Sequence, residues 1–263
     1  MSGKVATAEA AAAPGDLARL IQLPSGRRVY LECRGGGRPT VVFESGSGNA
    51  ADIWSFRKPG SRRRAVLPAV APFTRVCAYD RPGTSLQSGA PGRSDPVPLP
   101  RSAHAVVADL HPLLRAARVP GPYVLVGHSL GGLFARLYAG TYPGQVAGLV
   151  SVDAAHEIVY EAYQALLTPE QLAPFRAPGV EIDIVATAAE MRRARVDRPL
   201  RRMPMFVLEH SRDRGRFPNP FGFPPGWPVE ALERAFQASQ DDLATLLPYA
   251  RHVIPRGAST TSS

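Results

Sequence analysis

The order apolar strand, Gly-x-Ser-x-Gly, helix constrains this chain more than any other feature. The run Tyr123-Val124-Leu125-Val126 enters Gly127-His128-Ser129-Leu130-Gly131-Gly132, and a helix-like stretch from Leu133 to Tyr138 leaves it. A serine on so tight a turn takes a strained backbone, so its neighbours must be small, as Gly127 and Gly131 are. The turn lifts the Ser129 hydroxyl clear of the sheet. It also aims the N-terminus of the next helix at negative charge developing beside that hydroxyl. Bare matches to the pattern are common; the flanking strand and helix and the further glycine at 132 make this one specific.

The rest of the chain alternates in the same way. Leu20–Leu23, Arg28–Cys33 and Thr40–Glu44 read as strands, separated by turns at Pro24-Ser25-Gly26 and Gly35-Gly36-Gly37. The third runs into Ser45-Gly46-Ser47-Gly48, a glycine-rich loop that lacks the Gly-Lys-Ser/Thr of a phosphate-binding loop. Thr74–Tyr79, Val146–Val152, Met205–Leu208 and Arg251–Ile254 read as further strands. Apolar spacing predicts helices over 102–117 and 230–247, and Pro112 is expected to kink or split the first.

Buried strands alternating with helices predict an α/β fold, a doubly wound, mostly parallel sheet. Sites in such sheets lie at the carboxyl ends of strands, where Ser47, Ser129, Asp153 and Asp213 stand. Charged helical pieces broken by Pro169, Pro174 and Pro178 predict a helical cap over 154–203, inserted between two parts of the core, 17–153 and 204–256. Residues 1–16 are expected to be a disordered tail and 257–263 a second tail.

Composition excludes some function classes. No segment approaches the ~20 unbroken apolar residues of a membrane span. The Ala-rich start lacks the apolar core of a secretory signal, so a cytoplasmic location is expected. Cys33 and Cys77 fall in predicted strands and are expected to be small buried core residues, without a disulfide framework or metal-ligand spacing. The net charge of +9 comes from a chain whose only lysines are Lys4 and Lys58. Arginine clusters at 62–64 and 192–202 carry no nucleic-acid motif and no stripe of stacking aromatics. They read as solvated surface, and no nucleic-acid partner is expected.

Four stretches together resemble the α/β-hydrolase fold family, in its bacterial esterase or lipase-like branch. They are Thr40 to Gly48, Ala78-Tyr79-Asp80-Arg81-Pro82-Gly83, Gly127 to Gly132, and Val146 to Asp153, and the resemblance runs from about residue 20 to 256. It implies Ser129 as nucleophile, with the N–H groups of Leu130 and Ser47 as oxyanion donors worth ~3 kcal/mol each. It implies an acid at either Asp153 or Asp213. It places the base histidine after the last strand, near Thr260, where no histidine stands; the family's final core helix is missing too. A truncated reading frame or an inactive relative would account for that ending. His252 reads as a strand residue, His128 as packed beneath the turn, and His104 and His111 as part of the preceding helix. His156 and His210 lie at the correct end of the sheet.

The expected function is therefore a serine hydrolase acting on an ester or related carbonyl bond through an acyl-serine, impaired by the missing base. The alternative is a catalytically inactive hydrolase-fold protein that binds a small molecule. No metal or organic cofactor is implied. The cap and the aromatic residues Phe217, Phe221, Phe223 and Trp227 predict a moderately apolar small-molecule substrate. The sequence leaves the oligomeric state open.

Overall fold

Runs rich in Val, Leu, Tyr and Phe fit a pleated, buried surface, and eight of them pair into one sheet. The strands are β1 (Leu17–Gln22), β2 (Arg28–Arg34), β3 (Thr40–Glu44), β4 (Val76–Tyr79), β5 (Tyr123–His128), β6 (Val146–Val152), β7 (Met205–Leu208) and β8 (Arg251–Val253). The computed structural model describes residues 16–57, 60–177, 179–213, 215 and 218–255. The spatial order is β1-β2-β4-β3-β5-β6-β7-β8. β1 pairs with β2, and β2 with β4, antiparallel; every pair from β4 onward is parallel.

Parallel neighbours need crossovers. They are α1 (Val66–Val70), α2 (Ala103–Ala116) and α3 (Gly131–Thr141), then α4 (Glu157–Leu166), α5 (Pro169–Leu172) and α6 (Ile184–Asp197) between β6 and β7, and α7 (Val229–Leu243) before β8. Successive strand residues face opposite sides of the sheet. Val42, Cys77 and Leu125 pack with Leu110 of α2 and Leu133 of α3. Phe43, Val76 and Ala78 pack on the other side with Trp54 and with Leu67 of α1. The centre of the sheet is thus covered on both faces, as the sequence predicts.

Several expectations need correction. Cys33 and Cys77 are buried, but they are joined in a disulfide. They stand opposite each other in the β2–β4 register, a juxtaposition set by long-range strand order and not by their spacing. α2 is not split at Pro112. The N–H that proline lacks would have bonded the carbonyl of Ala108, which is exposed and can bond water instead. The first strand starts at Leu17, earlier than the apolar pattern alone suggests. Asp16 is tied down, its Oδ1 accepting the Gly35 N–H at 3.0 Å. The remainder of both predicted tails, with the position near Thr260 where the resemblance expects histidine, lies outside the described residues.

Candidate active site

The ends of β3, β5, β6 and β7 converge. Ser129 follows β5 with φ of 51°, and Asp153 follows β6 with φ of 41°, left-handed conformations that cost a non-glycine residue roughly 1 kcal/mol or more. Hydrogen bonds hold the turn. The Ser129 N–H donates to Val152 O at 3.0 Å, and the Ser129 carbonyl accepts from Gly132 N–H at 3.0 Å and Ala155 N–H at 2.8 Å. The turn has no room for side chains at its glycines. A Cβ on Gly127 would lie 2.6 Å from Gly131 O, and one on Gly131 would lie 2.3 Å from Glu44 O.

Ser47, Ser129, Leu130 and Asp153 line one cavity of about 290 Å³, whose remaining wall includes Tyr160, Phe175 and Phe221. Among the described residues, neither the Ser47 nor the Leu130 N–H is taken by a protein acceptor. Phe223 stacks on Trp227 at 5.6 Å and meets the Tyr163 ring edge-on at 6.0 Å. Phe217 falls outside the described residues.

The histidine at the end of β7 is the group that sequence reasoning underrated. His210 Nδ1 lies 2.8 Å from Asp153 Oδ1, and its Nε2 lies 2.9 Å from Glu233 Oε1 on α7. Its backbone N–H also donates to Asp153 Oδ1, at 2.7 Å. The ring is stacked near Phe236 and meets Phe221 edge-on. Hydrogen bonds to Asp153 first, then to Glu233, outweigh partial burial and push its pKa up to about 10. It is therefore an imidazolium at neutral pH, donating from both nitrogens. Ser129, Asp153, His210 and His128 line a second cavity of about 220 Å³. Among the described residues no hydrogen bond joins Ser129 Oγ to His210.

Of the two acid candidates, Asp153 is thus brought beside Ser129 and His210. Asp213 is exposed on the loop after β7, where its Oδ1 accepts the Gly215 N–H at 3.1 Å. His156 is fully buried and caps α4, its Nδ1 accepting the Ile158 N–H at 3.1 Å. Its Nε2 sits 3.1 Å from Asp242 Oδ2, out of line for a hydrogen bond, and burial pushes its pKa down to about 4. His252 stays in β8, 2.8 Å from Glu209. Glu209, Asp241 and His252 bring possible metal-ligand atoms within 4.8 Å of one another. The Arg212 guanidinium already bridges Glu209 and Asp241, at 2.7 and 2.8 Å.

Beneath the glycine-rich loop lies a buried polar cluster. The fully buried Arg81 donates to the carbonyls of Ser45 at 2.9 Å and Gly46 at 2.8 Å. Its Nε donates to Glu181 Oε1 at 2.6 Å, and Glu181 Oε2 accepts the Gly48 N–H at 2.7 Å. Arg81 also sits 3.5 Å from Glu44, which accepts the Tyr79 hydroxyl at 2.7 Å. Burial, ahead of the attraction of Arg81, raises the Glu44 pKa to about 7. Arg81 stands in the Asp80-Arg81-Pro82-Gly83 turn, to which the family resemblance attaches no role, and no sequence signal singles out Glu181 or Glu233.

On α6, Arg195 pairs with Asp242 at 2.7 Å and Arg192 pairs with Glu161. Among the described residues no helix is long and apolar enough to cross a membrane.

Comparison with known proteins places the chain among relatives. The profile of the alpha/beta hydrolase family matches residues 41–261. An uncharacterized protein of Schizosaccharomyces pombe is 34% identical over 164 residues, covering 55% of this chain and 29% of the relative. The chain spans less than a third of that relative's length. Among solved structures, mouse alpha/beta hydrolase domain-containing protein 10 superposes with a TM-score of 0.59 at 14% identity, over 92% of this chain and 90% of the other. A thermophilic esterase from Thermogutta terrifontis superposes with a TM-score of 0.52 at 20% identity, over 91% and 89%.

Proposed function

The chain belongs to the alpha/beta hydrolase family, and from that premise we propose that it is a serine hydrolase cleaving an ester or related carbonyl bond through an acyl-serine on Ser129. The observation that carries the reading is the convergence of Ser129, Ser47, Leu130 and Asp153 on one cavity, with the Ser47 and Leu130 N–H groups bonded to no protein acceptor among the described residues and His210 bound to Asp153 beside it. Ser129 Oγ attacks the carbonyl carbon while its proton passes to neutral His210. The two N–H groups hold the oxyanion, the bond to the leaving group breaks, and the imidazolium returns the proton to the departing oxygen. Water then repeats the sequence on the acyl-serine. Asp153 orients the imidazole and stabilises its charged form.

His210 begins this cycle in the wrong state. Its Nε2 is held by Glu233, so Ser129 is activated only in the fraction of molecules where that nitrogen is free of its proton and turned to the serine. Low basal activity follows. The same observation favours a second reading, a binding protein that keeps the cavity without turnover. The helices over 154–203 act as a cap, and the aromatic wall suits an apolar acyl or alkyl group of a small-molecule substrate.

A fluorophosphonate probe separates the readings. The enzyme reading expects covalent labelling of the wild type and none of Ser129→Ala. Folded wild type left unlabelled at pH 9, where neutral His210 is more abundant, would sink the enzyme reading and leave the binding protein.

A further inference from the structure

We propose that Arg81 and Glu181 are positioning residues that fix the direction of the Ser47 N–H toward Ser129; this rests on the serine-hydrolase reading above. The Gly46 carbonyl and the Ser47 N–H belong to one peptide unit, which is planar and trans, so the two point in opposite directions. Arg81 Nη2 donates to that carbonyl at 2.8 Å, and Nη1 donates to the preceding one, of Ser45, at 2.9 Å. Anchoring Gly46 O on the buried guanidinium leaves the Ser47 N–H facing the opposite way, and Ser47 lines the cavity with Ser129. Turning this peptide over would strip a charge-assisted hydrogen bond from a cation that is only 1% exposed.

Glu181 holds the holder. It takes Nε of Arg81 at 2.6 Å and Nη2 at 3.2 Å, and with the same carboxylate it accepts the Gly48 N–H at 2.7 Å. The Ser47–Gly48 stretch is thus fastened on both sides of the donor. A fork of planar donors suits this task, because four separate acceptors, the Ser45 and Gly46 carbonyls and the Glu181 and Glu44 carboxylates, lie around one guanidinium. A lysine ammonium, a point charge on a flexible stem, cannot span them. Glu181 itself lines the cavity, together with its neighbours Val180 and Ile182. The anchor of the oxyanion donor is therefore part of the wall that meets the substrate.

The test uses the full chain and two variants, Arg81→Lys and Glu181→Gln. Two readouts are taken. The first is the rate of fluorophosphonate labelling, with kcat and KM for p-nitrophenyl butyrate. The second is the Ser47 amide cross-peak in a 1H–15N spectrum. Loss of an oriented donor predicts labelling and kcat lower by roughly 10²-fold in Arg81→Lys and by about tenfold in Glu181→Gln, with KM within twofold. A merely structural role would lower the melting temperature and leave these rates unchanged below it. The Ser47 cross-peak should shift or split in both variants. Folded variants that label at the wild-type rate with an unmoved Ser47 peak would overturn the proposal. Glu181→Gln preserves shape, so it stands in where Arg81→Lys does not fold. A wild type that never labels refutes the hydrolase reading instead, while the Ser47 peak still reports whether Arg81 orients the peptide.

Discussion

Replacing Glu233 with glutamine should accelerate the labelling of Ser129. The wild-type His210 pKa of about 10 leaves a neutral fraction of roughly 10⁻³ at pH 7. Two carboxylates produce the rise, through contacts of 2.8 and 2.9 Å. Removing the charge of one, while keeping an oxygen that can still accept, should forfeit about half of it and bring the pKa to ~8. The neutral fraction at pH 7 then becomes roughly 10⁻¹, so the labelling rate should climb by up to ~100-fold. The assay is the second-order rate of fluorophosphonate labelling between pH 6 and 10.5. An NMR titration of the His210 ring proton runs alongside it. Wild type should gain close to tenfold in rate per pH unit up to about 10, whereas Glu233→Gln should level off near 8. His210→Asn should flatten both profiles. An unchanged His210 titration in Glu233→Gln, or a rate blind to a titration that did move, would refute the argument that Glu233 withholds the base.

Other expectations follow from the same geometry. Asp153→Asn should slow labelling by several orders of magnitude while Asp213→Asn stays within twofold of wild type; the reverse pattern would make Asp213 the acid. Gly131→Ala forces a methyl to within 2.3 Å of the Glu44 carbonyl oxygen, and should cost more than ~3 kcal/mol in urea unfolding. Glu44 holds its proton more tightly folded than unfolded, with a pKa raised from 4.5 to about 7. Native stability therefore falls as pH rises through that window. Glu44→Gln should accordingly raise the melting temperature at pH 8 and change it little at pH 5; equal shifts at both would contradict the burial cost assigned to this carboxylate.

What was legible in the sequence was local. The strand and helix flanking Ser129 are contiguous with it, and the small residues of its turn stand within three positions. Sheet class, the β3 and β6 strands and the position of Asp153 followed from apolar runs of the same kind. What escaped was set by distance along the chain. Cys33 meets Cys77 only because β2 lies beside β4 and not beside β3. His210 meets Asp153 across 57 residues and Glu233 across 23. Glu181 reaches Arg81 across 100 residues, from a segment whose sequence reads as charged and irregular. Pro112 leaves its helix whole for a different reason, since a lost helix bond matters less where the orphaned carbonyl can bond water.

The Cys33–Cys77 bond closes a covalent ring around the residues between its ends, and that ring contains β3 and the glycine-rich loop. It also contains the exposed Arg57, Arg62, Arg63 and Arg64, which are open to trypsin. A cut at any of them leaves both pieces tethered, with β3 still seated between β4 and β5. Nicked protein should therefore run as one species on a non-reducing gel and as two after reduction. The glycine-rich loop would thus survive a cleavage that would otherwise free it.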